Sequence, residues 1–139
     1  MRLFSYRQRP VHLGPYPLER LARQAGVPDL DAVAPMQALY DFAVAKNIAV
    51  VFLTGRPVSM TDVSEKNLKA AGFAKFEQLI LKPATPAFAN LAAFKTDARK
   101  RVTELGFTIV ANVGDQQSDL DGGFAERTFK VPNPFYYNP

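Results

Sequence analysis

Apolar residues recur at helical spacing from Pro35 onward, and a continuous apolar run follows them. The helical positions i, i+3, i+4, i+7 and i+8 hold Met36, Leu39, Tyr40, Ala43 and Val44. This spacing predicts an amphipathic helix that begins at Pro35 and ends at Asn47. Residues 48–53 are all apolar and rich in β-branched side chains, which is typical of a parallel strand covered on both faces.

The helical pattern recurs twice more along the chain. A second helix is predicted to run to Ala71, with Ser59 or Thr61 as its cap and Gly72 at its end. A third helix is predicted over residues 96–105, where Gly106 follows it, and its inward positions are Ala98, Val102 and Leu105. Both helices separate runs that have strand character.

Those further strands are predicted over residues 79–81, 107–113 and 128–131. Alternation of strands and helices favours an α/β fold, in which a parallel sheet is covered by helices on both faces. Residues 35–139 therefore form the predicted core. Residues 1–34 are interrupted by prolines and show a weak helical pattern only over 18–25, so we interpret them as a linker or a remnant of a cap.

Composition narrows the classes of function. The 139 residues contain no Cys and one His, His12, which excludes disulfides and thiolate metal sites and leaves little room for imidazole catalysis. The net charge of +4 is spread along the chain rather than gathered in a stripe, so we expect no nucleic-acid partner. No apolar run is long enough to span a membrane, and the first seven residues lack the apolar segment of a secretory signal.

Two carboxylates follow the apolar run 107–113, in Gly114-Asp115-Gln116-Gln117-Ser118-Asp119. Ligands of open α/β sheets bind beyond the carboxyl ends of the strands, and hard cations such as Mg²⁺ prefer carboxylate oxygens. Asp115 and Asp119 are thus candidate metal ligands at a phosphate site. The alternative is that Asp115 or Ser118 only caps the next helix. We assign the neighbouring Asp121 to a turn, without a metal role.

Two further segments could hold a phosphate. Thr54-Gly55-Arg56 follows a strand, where a hydroxyl and exposed N–H groups can bind a phosphoryl oxygen; alternatively, Thr54 only satisfies backbone groups in a tight turn. Lys95, just before or within the first turn of the third helix, could neutralise a phosphoryl group, or could be a solvated surface lysine. Residues 99–101, Arg-Lys-Arg, are expected on a solvated helix face.

In combination these segments resemble the acid phosphatase branch of the haloacid dehalogenase (HAD) superfamily, the branch that includes the plant vegetative storage proteins. Residues 52–56 (Phe-Leu-Thr-Gly-Arg) are similar to its second motif, 94–96 (Phe-Lys-Thr) to its third and 114–120 to its fourth. Residues 129–137 are also similar to the ending of that branch. The resemblance covers about residues 35–139.

The resemblance implies a HAD-like three-layer fold and Mg²⁺-dependent hydrolysis of small phosphomonoesters. It implies that Thr54, with Gly55 and Arg56, binds the phosphoryl group and that Lys95 balances the charge of this group. Thr54 and Lys95 would then be the catalytic side chains. Asp115 would ligate Mg²⁺, with support from Asp119. Gln117 replaces an aromatic residue that is frequent in the family, which is expected to alter the shape of the site. The family is often secreted or periplasmic.

The family's first motif has no match. In the family, its Asp-x-Asp follows the central strand and supplies the nucleophile and the general acid. The only Asp-x-Asp here is Asp29-Leu30-Asp31, which no apolar run precedes, so we interpret both residues as part of a linker or cap. We therefore expect a chain inactive by itself, such as a fragment of an acid phosphatase or a product of a misplaced start. The alternative is a non-catalytic phosphate-binding module.

A chain without the first motif also lacks the family's central strand. Its two neighbours, the strands around Val50 and Ile109, are then expected either to keep unpaired backbone groups or to pair with each other. Residues 2–6 could at best form a short substitute strand.

Overall fold

The computed structural model describes residues 2–7, 34–84 and 88–131, of which residues 2–7 and 34–35 are described by their backbone. The strands are β1 (Arg2–Arg7), β2 (Ala49–Pro57), β3 (Gln78–Lys82), β4 (Phe107–Gly114) and β5 (Thr128–Lys130). The helices are α1 (Ala34–Ala45), α2 (Thr61–Ala70), α3 (Leu91–Glu104) and α4 (Gln117–Leu120), and a 3₁₀ helix, Val58–Met60, precedes α2.

The five strands form one mixed sheet in the order β3-β2-β1-β4-β5. β2 pairs with β3 in parallel, as β4 does with β5, whereas β1 is antiparallel to both β2 and β4. The N-terminal strand β1 thus takes the central position. The expectation that the strands around Val50 and Ile109 would stay unpaired or pair with each other is wrong, because β1 lies between them and pairs with both. Residues 2–6 thus form the short substitute strand that the sequence allowed, and they are not part of a linker or cap.

The sheet has an apolar core on each face, which confirms the predicted α/β fold with helices on both sides. On one face α1 and α2 cover a core that includes Tyr40, Phe52 and Phe73, and the Phe73 ring meets the other two edge to face, with centroids 5.0 and 5.8 Å away. On the other face α3 covers Leu53 and Ile109. These side chains are at least nine-tenths buried, so both layers of helices are held by the hydrophobic effect.

Most element bounds agree with the sequence pattern. The first helix, the turn at Asn47 (φ 55°) and the strands β3 to β5 lie where they were predicted. β2 runs on to Pro57 and so includes Thr54, Gly55 and Arg56, which were expected to follow the strand, because its end pairs with Lys82 of β3. The N-cap of α2 is Met60 rather than Ser59 or Thr61; Thr61 donates its hydroxyl to the carbonyl of Val58 instead. No helix within the described ranges has both the length and the apolar character needed to cross a membrane.

The third helix differs most from its prediction. α3 begins at Leu91, five residues earlier than expected, because the side chain of Asn90 caps it by accepting a hydrogen bond from the N–H of Ala93 at 2.8 Å. Lys95 therefore lies inside the helix, beyond its first turn. Ala98 and Val102 face inward as predicted, but Leu105 is 56% exposed because it follows the last helical residue.

Candidate functional site

The register of β1 fixes the relative height of the two strands that carry the candidate residues. Arg2 pairs with Phe52 on one side and with Val113 on the other. Phe52 and Val113 are therefore level, separated by two strand spacings, or about 9–10 Å. Thr54 and Asp115 each lie two residues farther along, past the carboxyl ends of the buried segments. The sheet thus places the backbones of Thr54 and Asp115 at the same end of the sheet, where β2 and β4 end and β1 begins.

The last part of β2, after Thr54, is packed against the start of α3. A Cβ atom added to Gly55 would lie 2.8 Å from Cδ2 of Leu91, so the backbone at Gly55 touches the first residue of that helix. Lys95 follows Leu91 by one turn and therefore lies on the same side of α3. This close approach joins the second and third of the candidate segments.

Lys95 and Asp119 form a buried ion pair that joins α3 to α4. The Nζ atom of Lys95 contacts Oδ1 of Asp119, and the two side chains are only 7% and 1% exposed. The alternative that Lys95 is a solvated surface lysine is therefore wrong. The structure thus brings the ammonium group of Lys95 in the third motif into direct contact with the carboxylate of Asp119 in the fourth motif.

Every side-chain and carbonyl oxygen of Asp119 has a partner. Oδ1 meets Lys95, and Oδ2 accepts the N–H of Gln116 at 3.0 Å. The main-chain carbonyl accepts from Arg99 at 2.6 Å and from Nδ2 of Asn112 at 2.9 Å. Asp119 is thus committed to contacts within the fold, which tie α4 to α3 and to β4.

The cap of α4 is a residue that the sequence analysis did not consider. Gln116 is the N-cap, and it forms a capping box in which its side chain accepts the N–H of Asp119 while Asp119 accepts that of Gln116. The alternative caps, Asp115 and Ser118, do not take this position. Gln-x-x-Asp after a strand was the available signal for this cap. Asp121 ends the helix as an exposed C-cap, in agreement with the predicted turn.

Gly114 permits the close approach of Asp119. A Cβ atom at Gly114 would lie 2.3 Å from Cβ and 2.6 Å from Oδ2 of Asp119. Both distances are too short for a real side chain unless Asp119 or the backbone moves. Only a glycine leaves room for the carboxylate against the end of β4. This contact explains why the turn that holds both aspartates starts with glycine.

Arg99 was predicted to be solvated, but it is completely buried. Its guanidinium donates hydrogen bonds to the carbonyls of Asp119 (2.6 Å), Gly123 (2.9 Å) and Asp121, and to Oγ1 of Thr96 (3.2 Å). The signal was helical spacing, since Arg99 is i+4 from Lys95 and lies next to inward-facing Ala98. Lys100 and Arg101 are exposed, as expected.

Burial and the neighbouring charges shift two pKa values in this cluster. Burial lowers the pKa of Arg99 below its usual value, although the carboxylates of Asp119 and Asp121 oppose this shift. Burial alone would raise the pKa of Asp119, but stabilising interactions that include the hydrogen bonds from Lys95 and from the Gln116 N–H outweigh it and leave the pKa lowered. Asp119 is thus held in its carboxylate form.

The phosphate-binding candidates at the end of β2 are more open. Thr54 and Gly55 are half-buried and Arg56 is exposed. Oγ1 of Thr54 accepts the N–H of Arg56 at 3.3 Å, which is the turn-stabilising contact that was considered as the alternative to phosphate binding. Because Thr54 is the acceptor in this contact, its hydroxyl hydrogen can still be donated to another group.

Asp115 is half-buried at the end of β4, at the same edge as Thr54. Within residues 34–84 and 88–131, no three acidic, His or Cys side chains converge as a ready-made metal cage. Mg²⁺ needs no such cage, since it is commonly held by one or two carboxylates together with substrate phosphate and water. Asp29 and Asp31 lie outside the described residues.

Comparison with known proteins identifies the family. Residues 24–139 match the HAD superfamily, subfamily IIIB (acid phosphatase). The chain is 45% identical over 101 residues to the stem 28 kDa glycoprotein of Glycine max, covering 70% of this chain and 40% of that protein. It is 39% identical over 100 residues to acid phosphatase 1 of Solanum lycopersicum, covering 71% and 39% of the two chains.

A third relative, vegetative storage protein 1 of Arabidopsis thaliana, is 36% identical over 101 residues, which cover 73% of this chain and 37% of that protein. The chain thus spans about two fifths of the length of these relatives. Both the family match and the level of identity agree with the predicted resemblance. The chain belongs to the HAD superfamily, subfamily IIIB, the acid phosphatases.

Proposed function

We propose that this chain binds the phosphoryl group of a small phosphomonoester, together with Mg²⁺, at the edge of the sheet where β2 and β4 end. The observation that carries the proposal is the register of β1, which sets Thr54 and Asp115 level across the sheet. The buried contact between Lys95 and Asp119 supports it. In this proposal the hydroxyl of Thr54, the N–H of Gly55 and the exposed side chain of Arg56 hold phosphoryl oxygens. Lys95 supplies positive charge behind them.

The donor set at this edge fits Mg²⁺. Asp115 would hold the cation directly, because its carboxylate is half-buried at the mouth of the site and hard cations prefer such oxygens. Asp119 would support it through the capped turn, since its own oxygens are already bonded. When bound, the cation supplies charge neutralisation to the phosphoryl oxygens. The remaining ligands would be water and the phosphoryl group.

A small ligand fits the distribution of charge better than a nucleic acid does. Three basic side chains on the helices lie against carboxylates one turn away, in the pairs Lys69–Glu65 (2.7 Å), Lys100–Glu104 (3.8 Å) and Arg101–Asp97 (2.8 Å). A surface that binds phosphate backbones needs uncompensated Lys and Arg side chains along one face. The proposed ligand is therefore a single phosphoryl group.

Hydrolysis requires a group that the described part of the site does not supply. Covalent catalysis needs a nucleophile at the reacting atom. The strand between β2 and β4 is β1, whose residues Arg-Leu-Phe-Ser-Tyr-Arg contain no carboxylate. We therefore propose that this chain binds without turnover. Acid phosphatase activity, which one relative has in its name, is the second candidate, supported by the family and by the residues of motifs two to four.

Two assays on the purified chain test the proposal. Calorimetric titration with inorganic phosphate is expected to show binding in the presence of Mg²⁺ and much weaker binding without it. A chromogenic phosphomonoester with Mg²⁺ is expected to show no turnover above buffer. Absence of phosphate binding under both conditions would reject the proposed site. Turnover that disappears in Asp115→Asn would instead assign the chain as a hydrolase.

A further inference from the structure

Arg99 is a buried cation outside the family's motifs, and none of its contacts described above is to Thr54 or Asp115. It lies one helical turn after Lys95 and is 0% exposed. A buried guanidinium is costly unless its N–H groups find acceptors. Here the acceptors are three carbonyls of one short segment, those of Asp119, Asp121 and Gly123. Arg99 therefore binds the backbone of this segment at three points.

That segment needs an external partner. α4 has four residues, too few to be stable as an isolated helix. The last carbonyls of a helix find no N–H donors within it. From α3, Arg99 donates to the carbonyl of Asp119 in α4 and to those of Asp121 and Gly123 just beyond it. Its N-terminal end is fixed by the Gln116–Asp119 capping box. Arg99 and the box thus hold the two ends of the turn that carries Asp115 and Asp119.

The shape of the segment beyond α4 agrees with a close fit to α3. Gly122 has φ +94°, and a Cβ atom there would lie 2.1 Å from Oγ1 of Thr96, the same atom that accepts from Arg99. Oγ1 of Thr96 also donates to the carbonyl of Asp121 at 3.1 Å. Thr96 and Arg99 therefore hold the same stretch of backbone against α3.

We propose that Arg99 is a positioning residue: by binding the carbonyls of residues 119, 121 and 123, it fixes the turn of Asp115 and Asp119 in the geometry that the cation and phosphate need. This role rests on the proposed function, since the turn matters for binding only if the site binds Mg²⁺ and phosphate. In this role Arg99 acts through the turn and not as a ligand of the cation or the phosphate.

Arg99→Lys tests this role because it keeps the charge while a single ammonium group cannot reach three carbonyls in a fixed fork. Arg101→Lys, an exposed residue on the same helix, is the matched control. In hydrogen exchange on the full chain, Arg99→Lys is expected to speed exchange in the peptide that spans residues 115–123 by at least about 10-fold relative to the control. The core strands β2 and β4 are expected to exchange as in the unaltered chain.

The affinity for phosphate in the presence of Mg²⁺ is the second readout. It is expected to fall about 10-fold or more in Arg99→Lys, the usual effect of losing an outer partner of a metal ligand, and less than twofold in Arg101→Lys. If Arg99→Lys does not fold, Thr96→Val is the milder variant, because Thr96 holds the segment through a single carbonyl, and it is expected to give a smaller increase in exchange confined to the same residues.

The two failures can be told apart. Exchange in residues 115–123 that equals the control, or that rises equally throughout the chain, would overturn the positioning role. Absence of phosphate binding by the unaltered chain would overturn the proposed function, and the exchange data would still decide the role of Arg99 in the turn.

Discussion

Lys95 and Asp119 contact each other in a place that is almost closed to water: their side chains are 7% and 1% exposed, and they join α3 to α4. Removing one partner of a buried ion pair leaves an uncompensated charge, which costs about 3–5 kcal/mol. We expect Lys95→Met and Asp119→Asn each to lower the free energy of unfolding by that amount, measured by urea denaturation. The double variant should lose less than the sum of the two, because one interaction is removed in both.

The pair Lys69–Glu65 is a matched control for this prediction. It has an N–O distance of 2.7 Å, but its side chains are 54% and 41% exposed. Glu65→Gln should therefore cost less than about 1 kcal/mol. Additive losses in Lys95→Met and Asp119→Asn, each as small as that of the control, would show that the buried contact does not stabilise the chain.

Asp115→Asn is expected to weaken phosphate binding, whereas Asp119→Asn is expected to lower stability. Asp115→Asn should change the free energy of unfolding by about 1 kcal/mol or less, because the side chain is half-buried at the edge of the sheet. Its affinity for phosphate with Mg²⁺ should fall by about 100-fold or more, since even outer partners of metal ligands contribute about 10- to 100-fold. Calorimetry and urea denaturation on the same samples measure both quantities.

Asp121→Asn is the control for the role of Asp115. Asp121 is exposed, and Oδ1 accepts a hydrogen bond from Nε2 of Gln117 at 2.7 Å. The variant should bind phosphate within twofold of the unaltered chain. Equal losses of affinity in Asp115→Asn and Asp121→Asn would mean that a general loss of negative charge, and not a specific ligand, explains the result.

Gly114→Ala is expected to disturb the site as well as the fold. Its Cβ atom would overlap Asp119, and overpacking of this kind costs about 1–3 kcal/mol. Phosphate affinity should fall together with stability, because the turn must move. Gly106→Ala meets no atom within 4 Å but has φ +90°, so it should cost about 1–2 kcal/mol through backbone strain and leave phosphate affinity unchanged. The prediction fails if the two variants affect binding alike.

β1 is expected to be essential for stability because it pairs on both sides. Phe4 lies opposite Val50 and Ala111, in the middle of the sheet. Phe4→Pro removes a backbone N–H from a central strand and should cost about 3 kcal/mol or more. Phe4→Val keeps the N–H and serves as the control. If Phe4→Pro unfolds at the same urea concentration as Phe4→Val, β1 does not hold the sheet together.

Much of the fold could be predicted because its signals are local. The continuous apolar run of β2 and the glycine that follows α2 depend on neighbouring residues alone. For β1, local pattern indicated at best a short substitute strand and could not give its direction or register. These are decided by backbone pairing with β2 and β4, which are remote in sequence. Its antiparallel direction makes the sheet mixed rather than parallel.

In the candidate site, too, some residues could be predicted from local sequence and others could not. Its motifs identified Lys95 and Asp119, and the structure brings these two residues together. Arg99 was misjudged because its charge and its neighbours Lys100 and Arg101 indicated a solvated face. Its buried environment follows from a turn 20 to 24 residues away, whose carbonyls offset the cost of burying the guanidinium. These hydrogen bonds depend on the tertiary structure, so the only signal of them in the sequence is the helical spacing between Lys95 and Arg99.

The central claim is that one edge of the sheet binds phosphate beside Mg²⁺, and backbone amide NMR tests it most directly. Titration of the ¹⁵N-labelled chain with inorganic phosphate and Mg²⁺ should shift the amide signals of residues 54–56 and 114–116 most. Asp115→Asn should abolish those shifts. Unchanged signals at both segments, or shifts concentrated elsewhere in the chain, would contradict the proposed site.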